Sequence, residues 1–167
     1  MKVRKQLGIR AEPAAIYRAL LDAEVLKACI PGASSVTGSR KDGFQVAVTL
    51  SWLKASLWGG VRMTNLVKDT SLTITGESKG AAQGLAKAVA DVVLEADGQG
   101  GTVLSYDVGI EVGKLPAHLG GQLVGVMARK MANQFFANLR KTVEARANGT
   151  PEGAGKPGWL KRITGRQ

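Results

Sequence analysis

The hydrophobic period changes twice along the chain, and each change marks a change of structure. Residues 3–9 alternate, with Val3, Leu7 and Ile9 on one side, and predict a first strand. Pro13 then suits the first turn of a helix whose apolar face carries Ile16, Tyr17, Leu20 and Leu21. Glu12 is a poor cap for its start. A second short helix holds Val25 and Leu26. It ends near Cys29-Ile30-Pro31-Gly32, because a proline drives the residue before it out of the helical region.

From residue 34 the period is two. Phe44, Val46, Val48 and Leu50 alternate with polar or small residues after the Lys41-Asp42-Gly43 turn. Leu53, Ala55 and Leu57 continue past a break at Ser51-Trp52, and Gly59-Gly60 reads as a bulge before Val61 and Met63. Leu72 and Ile74 mark the next strand. Ala86, Ala88, Ala90, Val92 and Leu94 mark another, although Val89 and Val93 share its polar side. A Gly98-Gln99-Gly100-Gly101 turn leads to a last strand carrying Thr102, Leu104, Tyr106, Val108, Ile110 and Val112. Five or six hairpin-linked strands of this kind form an antiparallel meander with one apolar face.

After Pro116 the period becomes 3.6. Leu119, Leu123, Val126, Met127, Met131, Phe135, Leu139 and Val143 form an apolar stripe, opposite Arg129, Lys130, Asn133, Arg140, Lys141 and Glu144. The helix is expected to run to about Ala147. Residues 148–158 read as a flexible linker, and 159–167 as a basic amphipathic tip.

This order predicts an α+β fold over residues 1–147: a curved antiparallel sheet wrapped around one long C-terminal helix. Small residues at Ala55, Gly59, Gly76, Ala86, Ala88 and Ala90 would leave space between helix and sheet. The expected lining of that apolar cavity comes first from Phe44, Val46, Val48, Leu57, Val61 and Met63, then from Leu72, Ile74, Ala88, Ala90 and Val92. Leu104, Tyr106 and Val108 would add the last strand, and Leu119, Leu123, Met127, Met131 and Phe135 the helix.

Composition narrows the partners. Of 167 residues 44% are apolar, enough for one core, and 22 glycines suit a sheet with bends. The formal charge of +10 calls for an acidic partner. Lys2, Arg4, Lys5 and Arg10 cluster near one terminus and Lys156, Lys161, Arg162 and Arg166 near the other, without a basic stripe interleaved with stacking aromatics. Nucleic acid is therefore not the expected partner. A single cysteine, Cys29, suits a reducing compartment. No apolar run follows the basic N-terminus, and none approaches the roughly 18 residues of a membrane span. The expected location is the cytoplasm.

Candidate chemistry is sparse. A nucleophilic Cys29 would need a base, and the only histidine, His118, is distant in sequence, so a buried thiol filling space is the preferred reading. One cysteine, one histidine and no clustered carboxylates make no metal site. Gly120-Gly121 and Gly125 lie within a helix rather than between strand and helix, so they are no phosphate cradle. Tyr106 could donate to a ligand carbonyl or turn its hydroxyl to water or a backbone group. Trp58 and Arg62 fall on the outward face of their strand and suit a docking face if the bulge does not reverse the phase. In the tip, Trp159, Leu160 and Ile163 share one side with Lys161, Arg162 and Arg166 around them, a pattern that favours reversible contact with an anionic bilayer surface.

Several segments resemble the CoxG family, named for the G subunit of carbon monoxide dehydrogenase and a branch of the START/Bet v 1-like (SRPBCC) superfamily. They are Leu-Leu-Asp at 20–22, Ala-Cys-Ile-Pro-Gly-Ala at 28–33, Lys-Ala-Ser-Leu-Trp-Gly at 54–59 and Gly-Thr-Val-Leu-Ser-Tyr at 101–106. Val-Gly-Lys-Leu-Pro-Ala-His-Leu-Gly at 112–120 and Ala-Asn-Gln-Phe-Phe-Ala-Asn-Leu at 132–139 complete the set. Ser51-Trp52 stands where the family usually has Gly-Pro, and Leu57 where it usually has Phe. The resemblance implies a helix-grip fold without catalytic machinery or covalent cofactor. It implies a partner too: carbon monoxide dehydrogenase, or a related molybdenum-type oxidoreductase, attached at the inner face of the cell membrane. An apolar cavity and a lipid-seeking tip in one chain suggest a membrane quinone, menaquinone or ubiquinone, as carried ligand. The alternatives are a general carrier of apolar small molecules and, less favoured, a cyclase or hydrolase of the same superfamily. The latter would need an inward acid/base pair, and the expected interior offers Tyr106 and almost nothing else ionisable.

Overall fold

The computed structural model describes residues 2–50, 55–79, 86–112 and 121–148. Strand β1 (Lys2–Ile9) leads into helices α1 (Pro13–Leu20) and α2 (Ala23–Cys29). Strands β2 (Ala33–Ser39), β3 (Gly43–Leu50), β4 (Ala55–Val67), β5 (Ser71–Ser78), β6 (Ala86–Ala96) and β7 (Thr102–Val112) follow, and then helix α3 (Gly121–Ala147). Among the described residues seven strands make one curved sheet in the order β1-β7-β6-β5-β4-β3-β2, every neighbour antiparallel. Six of them form the expected meander. β1 closes on β7 because Val3, Leu7 and Ile9 present the same apolar face as Val108 and Leu104.

Local chemistry explains the joints. Pro13 starts α1 while Glu12 makes no side-chain cap, in keeping with its residue type. Asp22 caps α2 by accepting from the Glu24 N–H at 2.9 Å. Ile30 leaves the helix extended, with ψ 117°, ahead of Pro31. Gly32 then takes φ +80°, and any Cβ there would collide with the Thr49 carbonyl while the Thr49 N–H bonds back to the Gly32 oxygen. This elbow returns the chain from helix to sheet.

Two expectations are corrected. Gly59-Gly60 is not a bulge: the β3–β4 and β4–β5 registers run through both residues unbroken. The glycine at 59 serves close approach instead, since a Cβ there would stand 2.5 Å from the Glu77 carbonyl oxygen. The irregularity of β4 lies between Thr64 and Val67, where Asn65 adopts φ +52°. With the phase unbroken, Trp58 and Arg62 are both exposed.

The second correction concerns α3. Val126 is 61% exposed, whereas Phe136, Leu139, Thr142 and Val143 are buried. Positions spaced strictly by four advance 400° per step, so such a row drifts round the helix by about 40° each time. The buried face therefore steps by three as well as four, through Ala128, Met131, Ala132, Phe135, Phe136, Leu139, Thr142 and Val143. Leu119 lies outside the described residues, and so does the side chain of Leu123.

The core is solid where α1, α2 and the C-terminal half of α3 meet the sheet. Ile9, Ile16, Leu20, Leu26, Leu104 and Leu139 are almost wholly buried there. Polar links lock this end. Thr102 Oγ1 donates to the Ala11 carbonyl at 2.7 Å, Asn138 Nδ2 to the Cys29 carbonyl at 3.0 Å, and the Arg10 N–H to Glu144 at 2.9 Å.

A candidate ligand-binding hollow under the last helix

The other half of the sheet faces α3 across a gap. Along β6 the inward residues grow in one direction, from Ala86, Ala88 and Ala90 to Val92 and Leu94. α3 follows the same gradient, from Ala128 and Ala132 to Phe136 and Leu139. Where small side chains oppose small side chains, no atom bridges the two layers. The result is an apolar hollow of about 350 Å³. That is the lower end of the usual range for ligand pockets, about 300–1,000 Å³.

Its sheet wall is built from Val46 and Val48, from Leu57, Gly59 and Val61, and from Ile74 and Gly76. Ala86, Ala88 and Ala90 on β6 continue it, followed by Val108 and Ile110 on β7. The elbow contributes Leu26, Ile30 and Pro31, and α3 contributes Ala128, Met131, Ala132, Phe135 and Phe136. The hollow reaches the end of the sheet where β3, β5 and β7 finish and β4 and β6 begin. Trp58, Glu77, Ser78 and Lys87 stand at that rim.

Among the described residues Glu77 and Lys87 are the only ionisable groups bordering the hollow. Glu77 accepts from Lys79 Nζ at 2.9 Å. That hydrogen bond, and then the charge of Lys79, hold the carboxyl below its ordinary range on an exposed site. The described walls inside the rim carry no charge to solvate, so such a space excludes water and favours apolar occupants.

Ten of the residues expected to line a cavity border this one: Val46, Val48, Leu57, Val61, Ile74, Ala88, Ala90, Val108, Met131 and Phe135. Phe44, Met63, Leu72, Val92 and Leu104 lie instead in the packed core, because the hollow stops where β6 turns from alanine to valine. Met127 is half-buried and does not border the hollow. Tyr106 is buried in the same core, its ring stacked on Phe136 at 3.9 Å. Its hydroxyl donates to Asn133 Oδ1 at 2.8 Å, and burial pushes the phenol above its ordinary pKa. A partner on α3 thus occupies the donor that a ligand carbonyl would need. Pattern reading passes over Ala128, Ala132 and Phe136. The small residues at 128 and 132 are the signal available in the sequence, matching the alanines of β6.

Cys29 is buried at the end of α2, where its carbonyl is part of the α2–α3 link. His118 and the tip residues Trp159, Leu160, Lys161, Arg162, Ile163 and Arg166 lie outside the described residues. Among the described residues there is no group of three or more metal-binding side chains, and no helix is long and apolar enough to cross a membrane.

A family model, that of the carbon monoxide dehydrogenase G subunit (CoxG), matches residues 6–144. The chain belongs to the CoxG family. The match takes in every described element from the middle of β1 to nearly the end of α3, hence the whole hollow. Solved structures agree on the fold. A conserved protein from Geobacillus kaustophilus is 19% identical, with a TM-score of 0.74 over 86% of this chain and 95% of that one. A START superfamily protein from Mycobacterium smegmatis is also 19% identical, with a TM-score of 0.61 over 89% and 97%. A protein from Thermus thermophilus is 17% identical, with a TM-score of 0.65 over 88% and 99%. At these identities the likeness establishes the START/Bet v 1-like helix-grip fold and nothing more. A comparison with curated proteins found no match.

Proposed function

We propose that this CoxG-family protein is a non-catalytic accessory that carries a lipid-soluble quinone and brings a molybdenum-type carbon monoxide dehydrogenase to the cytoplasmic face of the membrane. The observation that supports this reading is the apolar hollow of about 350 Å³ beneath α3, in a chain whose family takes its name from that enzyme. Its size and lining favour one pose. Tyr106, the inward hydroxyl that could serve a quinone carbonyl, already donates to Asn133. A prenyl segment therefore fills the interior, and the polar ring stays near the rim beside Lys87. The volume takes only part of a long isoprenoid, so the remainder leaves through the same end. The basic tip at 159–167 supplies the bilayer contact in this scheme, each buried apolar side chain adding about 1.5–3 kcal/mol before ordering costs.

Native mass spectrometry of protein isolated from its own host, followed by titration with menaquinone and ubiquinone, tests the carrier role. Retention of a quinone mass in the folded protein is expected. A protein recovered empty that also ignores added quinone sinks that part and leaves recruitment standing. Flotation with anionic liposomes tests the tip: a chain ending at Ala147 is expected to lose binding, and unchanged flotation would place the anchor elsewhere.

A further inference from the structure

The end of the molecule opposite the hollow carries an unusual surface. There the β4–β5 turn places Leu66 and Val67 in solvent, 39% and 53% exposed, where hairpin tips ordinarily carry polar residues. The tip is well held. Left-handed residues flank it, Asn65 with φ +52° and Asp69 with φ +58°. The Thr70 N–H closes the turn on the Val67 carbonyl at 2.9 Å, and Asn65 Nδ2 donates to Thr73 Oγ1, which donates in turn to Asp91. Val67 pairs across Ser71, and Ser71 pairs with Val93, which is 41% exposed on the outward face of the sheet.

Leu66 also walls a cleft formed with Tyr17 and Arg18 of α1, Leu21 just past its end, Arg40 of the β2–β3 turn, and Lys68 and Asp69. Three cations there meet one carboxylate. Among the described residues Arg18, Arg40 and Lys68 have no ion-pair partner, although Arg4, Lys79 and Arg146 each have one. Lys41 adds a further exposed cation beside Arg40, while Asp42 on the same turn is engaged with Ser39. Exposed apolar side chains on a hydrogen-bonded turn, ringed by four cations against two carboxylates, match the apolar centre and charged rim of a protein interface.

We infer that this end docks an acidic protein surface bearing an apolar side chain that enters the cleft between Leu66 and Arg40. The inference rests on the recruitment reading above and names the face that would hold the dehydrogenase. Antiparallel topology puts this face at the β4-to-β5 end of the sheet, and the hollow's rim at the other. A partner held here leaves the rim unobstructed, so an apolar ligand enters and leaves while the complex persists.

The test is a binding titration of the full chain on purified dehydrogenase from the same host, at low and high salt. The wild-type protein is expected to bind and to weaken with salt. The charge reversal Arg40→Glu with Lys68→Glu is expected to weaken binding by about tenfold or more. Leu66→Ser with Val67→Ser should weaken it comparably without a change in charge, which covers the case of one variant folding poorly. Lys130→Ala, on the exposed face of α3 and away from both the cleft and the hollow, should bind as wild type does. Wild-type binding that both double variants retain overturns this surface while leaving recruitment intact. Wild-type protein that does not bind the enzyme at all removes the recruitment reading, and this inference falls with it. Loss of anionic-vesicle binding in the variants with enzyme binding retained would assign the face to lipid and also overturn the proposal.

Discussion

Two halves of one sheet, under one helix, have opposite interiors. At the α1–α2 end, Val92, Leu94, Leu104 and Tyr106 reach Phe136, Leu139 and Val143, and the space is filled. At the rim end, Ala86, Ala88 and Ala90 face Ala128 and Ala132, and about 350 Å³ stays open. The sheet and α3 run through both. In the filled half α1 and α2 add buried side chains such as Ile16, Leu20 and Val25, and the larger residues of β6 and α3 close what remains, whereas the alanines of the rim half leave room to take a ligand. The solid half also carries the polar locks at Thr102, Asn138 and Glu144, so it tolerates a void next door.

The contrast can be broken in order of effect. Leu104→Ala, in the filled half, is expected to lower unfolding free energy by about 2–5 kcal/mol in a denaturant titration. A loss below about 1 kcal/mol would mean that this half is as loose as the other. Thr102→Val removes a buried donor to the Ala11 carbonyl and should cost about 1–3 kcal/mol by the same measurement. A neutral result would show that the lock does not contribute. Ala88→Leu pushes extra atoms into the open half. There it should change stability by less than about 1 kcal/mol, against about 1–3 for overpacking a filled core, while displacing a bound apolar ligand. Strong destabilisation would show the hollow to be closed in solution.

The smallest effect is alkaline. Burial raises the Tyr106 pKa, so the unfolded chain ionises first and stability is whole below the unfolded value near 10. It should fall as pH climbs from there toward the folded value. In Tyr106→Phe that part of the alkaline loss should vanish, and persistence of the full loss would assign it to other groups.

Much of the fold is readable from the chain alone. Alternation along 86–94 and 102–112 gives strand, face and neighbour correctly, because a period of two admits no other burial. The helix face is less legible. The row spaced by four from Met127 to Val143 looks continuous along the chain but drifts round the helix, and Val126, beside its outer end, is left in solvent. Gly59-Gly60 is ambiguous for a related reason: glycine marks either a bulge or a close approach, and only the Glu77 carbonyl beside it distinguishes them. Tyr106 is legible as an inward tyrosine, yet its partner Asn133 is 27 residues away on another element.

Sequence by itself determined the element order, the antiparallel meander, the family and the supply of small residues that makes a hollow possible. Periodicity and local turn chemistry act over a few residues, so they are written along the chain. Tertiary structure alone decided where the hollow stops, which aromatic residues close it, and that Leu66, Arg18 and Arg40 share one cleft. Those depend on distances between side chains far apart in the chain, set by how α1 and α3 seat on the curved sheet.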